Sequence, residues 1–241
     1  MVFEGLSFEN KPSSGTSFFG YQFLQEAYTI YSVWRKPGLP VGYSMKDMAD
    51  DYAAMIQEEF GGPVDVIGIS TGGSIVQHFA ADHPELVRRL VIHSSAHTLS
   101  DHAKQQQLLI AKFAAEGRWA RAYGVIMDMV FPKDGIKGAL LWPVRWTASQ
   151  LAGLLAAPKD PSDLVITVQA EDKHAFKERL GEISAPTLVI AGENDPFYTT
   201  QLFRETAEGI PHARLVLYAE MGHPAAGKQF QKEVADFLMK E

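Results

Sequence analysis

Six short runs of Val, Ile, Leu and Tyr, separated by segments of helical period, constrain this chain more than any other feature. They are Val2 to Phe3, Tyr28 to Trp34, Val64 to Ile69, Leu86 to Ile92, Thr187 to Ala191 and Arg214 to Tyr218. Most are apolar without strict alternation, the pattern of strands covered on both faces of a parallel sheet. Ser44 caps a helix from Asp47 to Phe60 that stops at Gly61-Gly62, and a second helix spans Ser74 to Ala81 before His83-Pro84. A third runs from Thr199 to Glu208, and Phe230, Val234, Phe237 and Leu238 form the apolar face of a C-terminal helix. This alternation predicts an α/β fold, a mostly parallel sheet of about six strands with helices on both faces. Ligands of such sheets sit at the carboxyl ends of the strands.

The rhythm breaks between His97 and Gly181, where the sequence offers no strand and several helices: Asp101 to Glu116, Arg118 to Met129, Thr147 to Ala156, and one opening at Asp160-Pro161. We therefore expect a core of residues 1–96 and 182–241 and a helical insertion of 97–181. A chain of 241 residues, 46% hydrophobic and 21% charged, fits one compact domain with such an insertion. Lys+Arg 22 against Asp+Glu 29 gives a net charge of −7, which repels phosphate backbones and anionic lipid. Nucleic acid is excluded as an expected partner, and a small molecule is expected instead. With Cys 0 there is no disulfide, thiolate metal cluster or thiol nucleophile. The N-terminus lacks a basic segment followed by an apolar core, and no apolar run approaches bilayer length, so a soluble, unprocessed, cytoplasmic protein is expected. Oligomeric state leaves no mark.

At the end of the third run the sequence reads Val66-Ile67-Gly68-Ile69-Ser70-Thr71-Gly72-Gly73-Ser74, and a helical pattern follows at once. A serine on so tight a strand-to-helix turn needs neighbours with almost no side chain, which Gly68 and Gly72 supply. The turn aims the next helix's N-terminus at whatever Ser70 attacks, so the Thr71 amide is positioned to stabilise negative charge there. The competing reading is a serine that only caps the helix.

A serine hydroxyl needs a base, and the base needs an orienting carboxylate. Of the 8 His, His78 and His83 belong to the helix behind the turn, His102 and His174 to the insertion, and His212 to a turn. His93 and His97 flank the end of the fourth run as candidate pocket-wall residues. His223, in Glu220-Met221-Gly222-His223-Pro224, follows the last run on a loop that must reach the same sheet edge as Ser70. Asp195 follows the fifth run and precedes Pro196, which biases its backbone to an extended form. Glu193 competes for that role, and a turn or capping use of Asp195 is the alternative. Together Ser70, Asp195 and His223 each lie just past an apolar strand, in the order Ser, Asp, His.

The turn around Ser70, the block Pro186-Thr187-Leu188-Val189-Ile190-Ala191-Gly192-Glu193-Asn194-Asp195 and Gly222-His223 resemble the three signature regions of the α/β-hydrolase superfamily. The loop Arg35-Lys36-Pro37-Gly38 to Ser44 is similar to that family's glycine-containing turn, and the resemblance covers nearly the whole chain. It implies that residues 97–181 form a helical lid, and that Leu6, in Phe3-Glu4-Gly5-Leu6, supplies a second oxyanion donor through its backbone N–H. Glu4 stands where the family usually has His, and two N-terminal strands common in the family have no counterpart. The implied activity is hydrolysis of a carboxylic ester through an acyl-enzyme on Ser70, as in a carboxylesterase. Serine at position 70 argues against dehalogenases and epoxide hydrolases, which need a carboxylate there. Thioesterase, lactonase, aminopeptidase and carbon–carbon bond hydrolase stay open, as does a slow or non-catalytic ligand receptor on the same fold. No cofactor or metal is expected, because no His/carboxylate set has ligand spacing. Met127, Met129, Phe131, Trp142 and Trp146 are candidate apolar pocket walls in the insertion, with core packing the alternative.

Overall fold

The computed structural model describes residues 1–11, 20–131 and 135–240, with the backbone alone for 135–139. Its strands are β1 (Val2–Phe3), β2 (Ser32–Val33), β3 (Val64–Ile69), β4 (Val87–His93), β5 (Thr187–Gly192) and β6 (Ala213–Tyr218). All pair in parallel in the order β2-β1-β3-β4-β5-β6. The direction of winding reverses between β1 and β3, which is where a doubly wound sheet opens a crevice.

Helix α1 (Met45–Glu59) starts at a reciprocal cap, in which Ser44 Oγ accepts from the Asp47 amide and Asp47 accepts from the Ser44 amide. Helix α2 (Thr71–Asp82) packs beside it. Val66, Leu90, Ile92 and Val189 share a cluster with Ile56 of α1 and Phe79 of α2. The alternating positions Ile67, Val91, Leu188 and Ile190 instead meet Phe230, Val234 and Leu238. Both faces of the central strands are thus dry, which is why they read as unbroken apolar runs.

Between β4 and β5 lie four helices, α3 (Asp101–Ala115), α4 (Trp119–Val130), α5 (Gly135–Leu155) and α6 (Ser162–Asp172); α7 (Thr200–Gly209) and α8 (Lys228–Leu238) follow. Helix α6 is tied to the core near each end. Asp163 accepts from the Gly38 and Leu39 amides at 3.0 and 2.7 Å, and Glu171 accepts from Thr71 Oγ1 and Ser74 Oγ at 2.7 and 3.1 Å.

Three boundaries differ from the sequence reading. Strand β2, at the edge of the sheet, covers two residues rather than Tyr28 to Trp34, because its one neighbour, β1, is itself only two residues long. Helix α2 begins at Thr71, three residues before Ser74; Gly72 and Gly73, poor helix formers, disguise its first turn. Helix α5 starts at Gly135 and runs through Pro143, well before Thr147. Its Leu140, Trp142, Val144, Leu151 and Leu154 are exposed, so no single apolar stripe marks its length. Among the described residues no helix is long and apolar enough to cross a membrane.

Candidate active site

Ser70 sits between β3 and α2 with φ +52° and ψ −121°, outside the regions favoured by residues with a side chain. The glycines around it explain how the turn closes. A Cβ on Gly68 would lie 2.4 Å from Val76 Cγ1 and 2.6 Å from the Gly72 carbonyl, and one on Gly72 would lie 2.0 Å from the Phe3 carbonyl oxygen. Strand β1 and helix α2 are therefore in backbone contact beside the serine. Its amide donates to the His93 carbonyl at 3.0 Å, tying the turn to β4.

Ser70 Oγ lies 3.1 Å from His223 Nε2, and His223 Nδ1 lies 2.7 Å from Asp195 Oδ2. The Asp195 side chain is wholly buried. A carboxylate only accepts, so Nδ1 carries the proton and Nε2 presents its lone pair to the serine hydroxyl. Asp195 also serves its turn: Oδ1 accepts from the Phe197 and Tyr198 amides at 2.8 and 3.2 Å. Its two oxygens are thus divided between the imidazole and the turn. Glu193 is exposed and takes no part.

The loop bearing His223 crosses the end of β5 at Gly192, where a Cβ would lie 2.1 Å from the Met221 carbonyl oxygen. The Asn194 amide donates to that same carbonyl at 3.0 Å. Beyond the imidazole, Ala225 is gripped twice. Its amide donates to Ser94 Oγ at 3.0 Å and its carbonyl accepts from His93 Nε2 at 2.8 Å. His93 Nδ1 then accepts from Tyr21 Oη at 2.6 Å. Burial holds the His93 pKa down at about 3, so this ring is neutral and its tautomer is fixed by its two partners.

The other histidines lie elsewhere. His97 reaches Glu205 at 3.1 Å, His83 reaches Asp50 at 2.8 Å, and His78 and His174 face each other at 3.3 Å. Desolvation lowers the last two to about 4 and about 3. His102 and His212 are exposed.

Thr71 opens α2 next to the serine, and Leu6 lies just past β1, across the crevice where the winding reverses. Among the described residues neither backbone N–H has a partner. Two charged residues behind them escape a sequence reading. Arg35, 2% exposed, donates to the carbonyls of Glu4 and Gly5, and the wholly buried Glu171 takes the Thr71 and Ser74 hydroxyls. Burial pushes the Glu171 pKa up. Glu171 lies near the end of α6, whose Leu164, Val168 and Ala170 are buried as well. Nothing in the order of residues pairs Arg35 with β1.

Ser70 and His223 open onto a cavity of about 1310 Å³ whose walls include Leu6, Phe8, Tyr123, Ile126 and Val130. Helix α4 thus faces it with Tyr123, Ile126 and Val130. Met127, Met129, Phe131, Trp142 and Trp146 do not line it: Met129 packs with Ala96 and Phe203, and both tryptophans are more than half exposed. Among the described residues no cluster of three or more His, Asp or Glu is arranged to hold a metal.

A parallel sheet carrying a serine, an imidazole and a carboxylate in series at its carboxyl edge is the arrangement of a hydrolase. The chain matches the profile described as "Alpha/beta hydrolase family" over residues 13–237 and belongs to that family. It is 26% identical over 231 residues to "Putative carbamate hydrolase RutD" of Serratia proteamaculans (strain 568), covering 92% of this chain and 83% of that protein. It is 26% identical over 182 residues to 2-hydroxy-6-oxo-6-phenylhexa-2,4-dienoate hydrolase of Comamonas testosteroni, covering 72% of this chain and 62% of that protein. The enol-lactonase from Burkholderia xenovorans LB400 superposes with a TM-score of 0.73 at 17% identity, covering 99% of this chain and 91% of that one.

Proposed function

We propose that this chain is a serine hydrolase that cleaves a carboxylic ester through an acyl-enzyme on Ser70. His223 takes the hydroxyl proton as Oγ attacks the carbonyl, then returns it to the leaving alcohol; Asp195 holds the tautomer and stabilises the imidazolium. The Leu6 and Thr71 amides receive the oxyanion, and a water activated by the same imidazole releases the acid. The helices of residues 97–181 act as the lid over the cavity. The observation that carries this reading is the unbroken series of contacts from Asp195 Oδ2 through His223 to Ser70 Oγ. The unpartnered amides at the switch point supply the electrostatic half.

Esters with apolar chains suit the walls that Phe8, Ile126 and Val130 provide. The names of the relatives keep carbamate, lactone and carbon–carbon bond cleavage as neighbouring chemistries on one nucleophile. A fluorophosphonate probe combined with p-nitrophenyl esters of graded chain length tests the reading. Stoichiometric labelling and turnover, both abolished in Ser70→Ala, are expected. Labelling with negligible turnover across esters, thioesters and lactones would instead mark a ligand receptor.

A further inference from the structure

We propose that Arg35 is a positioning residue that orients and polarises the Gly5–Leu6 peptide, so that the Leu6 amide meets the oxyanion squarely; this rests on the serine-hydrolase reading above. Arg35 lies two residues beyond β2 and is among the largest fully buried side chains of the molecule. Its Nη1 donates to the Glu4 carbonyl at 3.2 Å, and its Nη2 to the Gly5 carbonyl at 3.0 Å and Ser7 Oγ at 2.9 Å. Its Nε donates to Asn10 Oδ1 at 3.2 Å, and Asn10 Nδ2 donates in turn to the Lys36 carbonyl at 3.1 Å. One rigid, planar fork therefore fixes two successive peptide planes, which a lysine ammonium, a point charge on a flexible stem, does not do.

The Gly5 carbonyl and the Leu6 N–H are the two ends of a single conjugated amide. A cation hydrogen-bonded to the oxygen draws electron density from the nitrogen and makes its proton a stronger donor. The peptide is next to the nucleophile: a Cβ on Gly5 would lie 3.4 Å from Ser70 Cβ. Glu4, Glu171 and Asp163 supply the negative charge around the guanidinium before reaction. Anchoring a loop takes only packing, and a buried guanidinium is an expensive means to that end alone. Its direction onto the Leu6 peptide gives the charge a use in the transition state, where donor alignment decides the rate.

The test compares wild type, Arg35→Met and Arg35→Lys, with kcat expressed per active site titrated by a fluorophosphonate, so that misfolded protein is not counted. For the best p-nitrophenyl ester, Arg35→Met is expected to lower kcat by about 10- to 100-fold with KM held within about twofold. Affinity for an n-alkylboronic acid of matched chain length, which becomes a tetrahedral anion on Ser70, is expected to fall by the same factor. Affinity for the neutral ether isostere of the ester is expected to stay unchanged. Arg35→Lys keeps the charge without the fork and is expected to fall in between, and it decides alone if Arg35→Met does not fold. Wild-type kcat in the folded variants, or a lost kcat with unchanged boronate affinity, overturns the proposal. A Ser70→Ala protein that still turns over ester overturns the underlying reading instead.

Discussion

The two shoulders of the Ser70 site are built from different chemistry. On the β1 side, buried ions do the holding, with Arg35 on the Glu4 and Gly5 carbonyls and Glu171 on the first turn of α2. On the β6 side the loop beyond His223 is held by neutral groups: Tyr21 donates to His93, and His93 and Ser94 grip Ala225 just past His223. A buried ion is costly to strand, so the first shoulder is all-or-none. The second is a chain of ordinary hydrogen bonds whose loss is graded. The loop beside β1 is thus fixed by charge, and the loop beyond His223 by dipoles.

The harshest way to break the charged shoulder is Gly72→Ala, which drives a methyl into the Phe3 carbonyl and wedges β1 from α2. It is expected to cost about 4 kcal/mol or more, read by urea unfolding, or to leave no folded protein. Arg35→Met follows at about 3 kcal/mol, because Glu4 and Glu171 lose a buried counter-charge.

Acidity separates the shoulders by sign. The folded pKa of His93, about 3, lies below its ordinary 6.5, so the unfolded chain takes up a proton that the folded chain refuses. Its contribution is full above pH 6.5 and is lost as pH falls toward 3, at up to about 1.4 kcal/mol per pH unit. His78 and His174 add in the same sense. Glu171, raised by burial, works the other way, favouring the fold below its ordinary 4.5 and losing that contribution as pH rises through its folded value. Unfolding measured from pH 4 to 7 is expected to show an acid loss that His93→Gln flattens and Glu171→Gln steepens. Gentlest is Ser94→Ala, expected to cost about 1–2 kcal/mol by leaving the Ala225 amide unpaired; a cost equal to that of Arg35→Met would erase the contrast between the shoulders.

The same contrast governs what could be read from the order of residues. Ser70, His223 and Asp195 each follow an apolar strand, and strand ends are visible in hydropathy, so the meeting of these three side chains was legible. The sheet was legible for the same reason, except where β2 is cut to the length of its neighbour. Arg35 and Glu171 were not, because each acts across a separation of 30 or 100 residues on groups that hydropathy does not mark. The cavity wall was misread on α4 for a different reason. Ile126 and Met127 are adjacent apolar residues on that helix, and which of them looks inward is set by how α3 and α5 flank it.

Helix α6 is bolted at both ends, by Asp163 to the Gly38–Leu39 amides and by Glu171 to the hydroxyls of Thr71 and Ser74. Any swing of that helix would strip partners from two carboxylates and disturb the turn that holds Ser70. The mooring of the insertion and the seat of Ser70 are therefore one piece of structure.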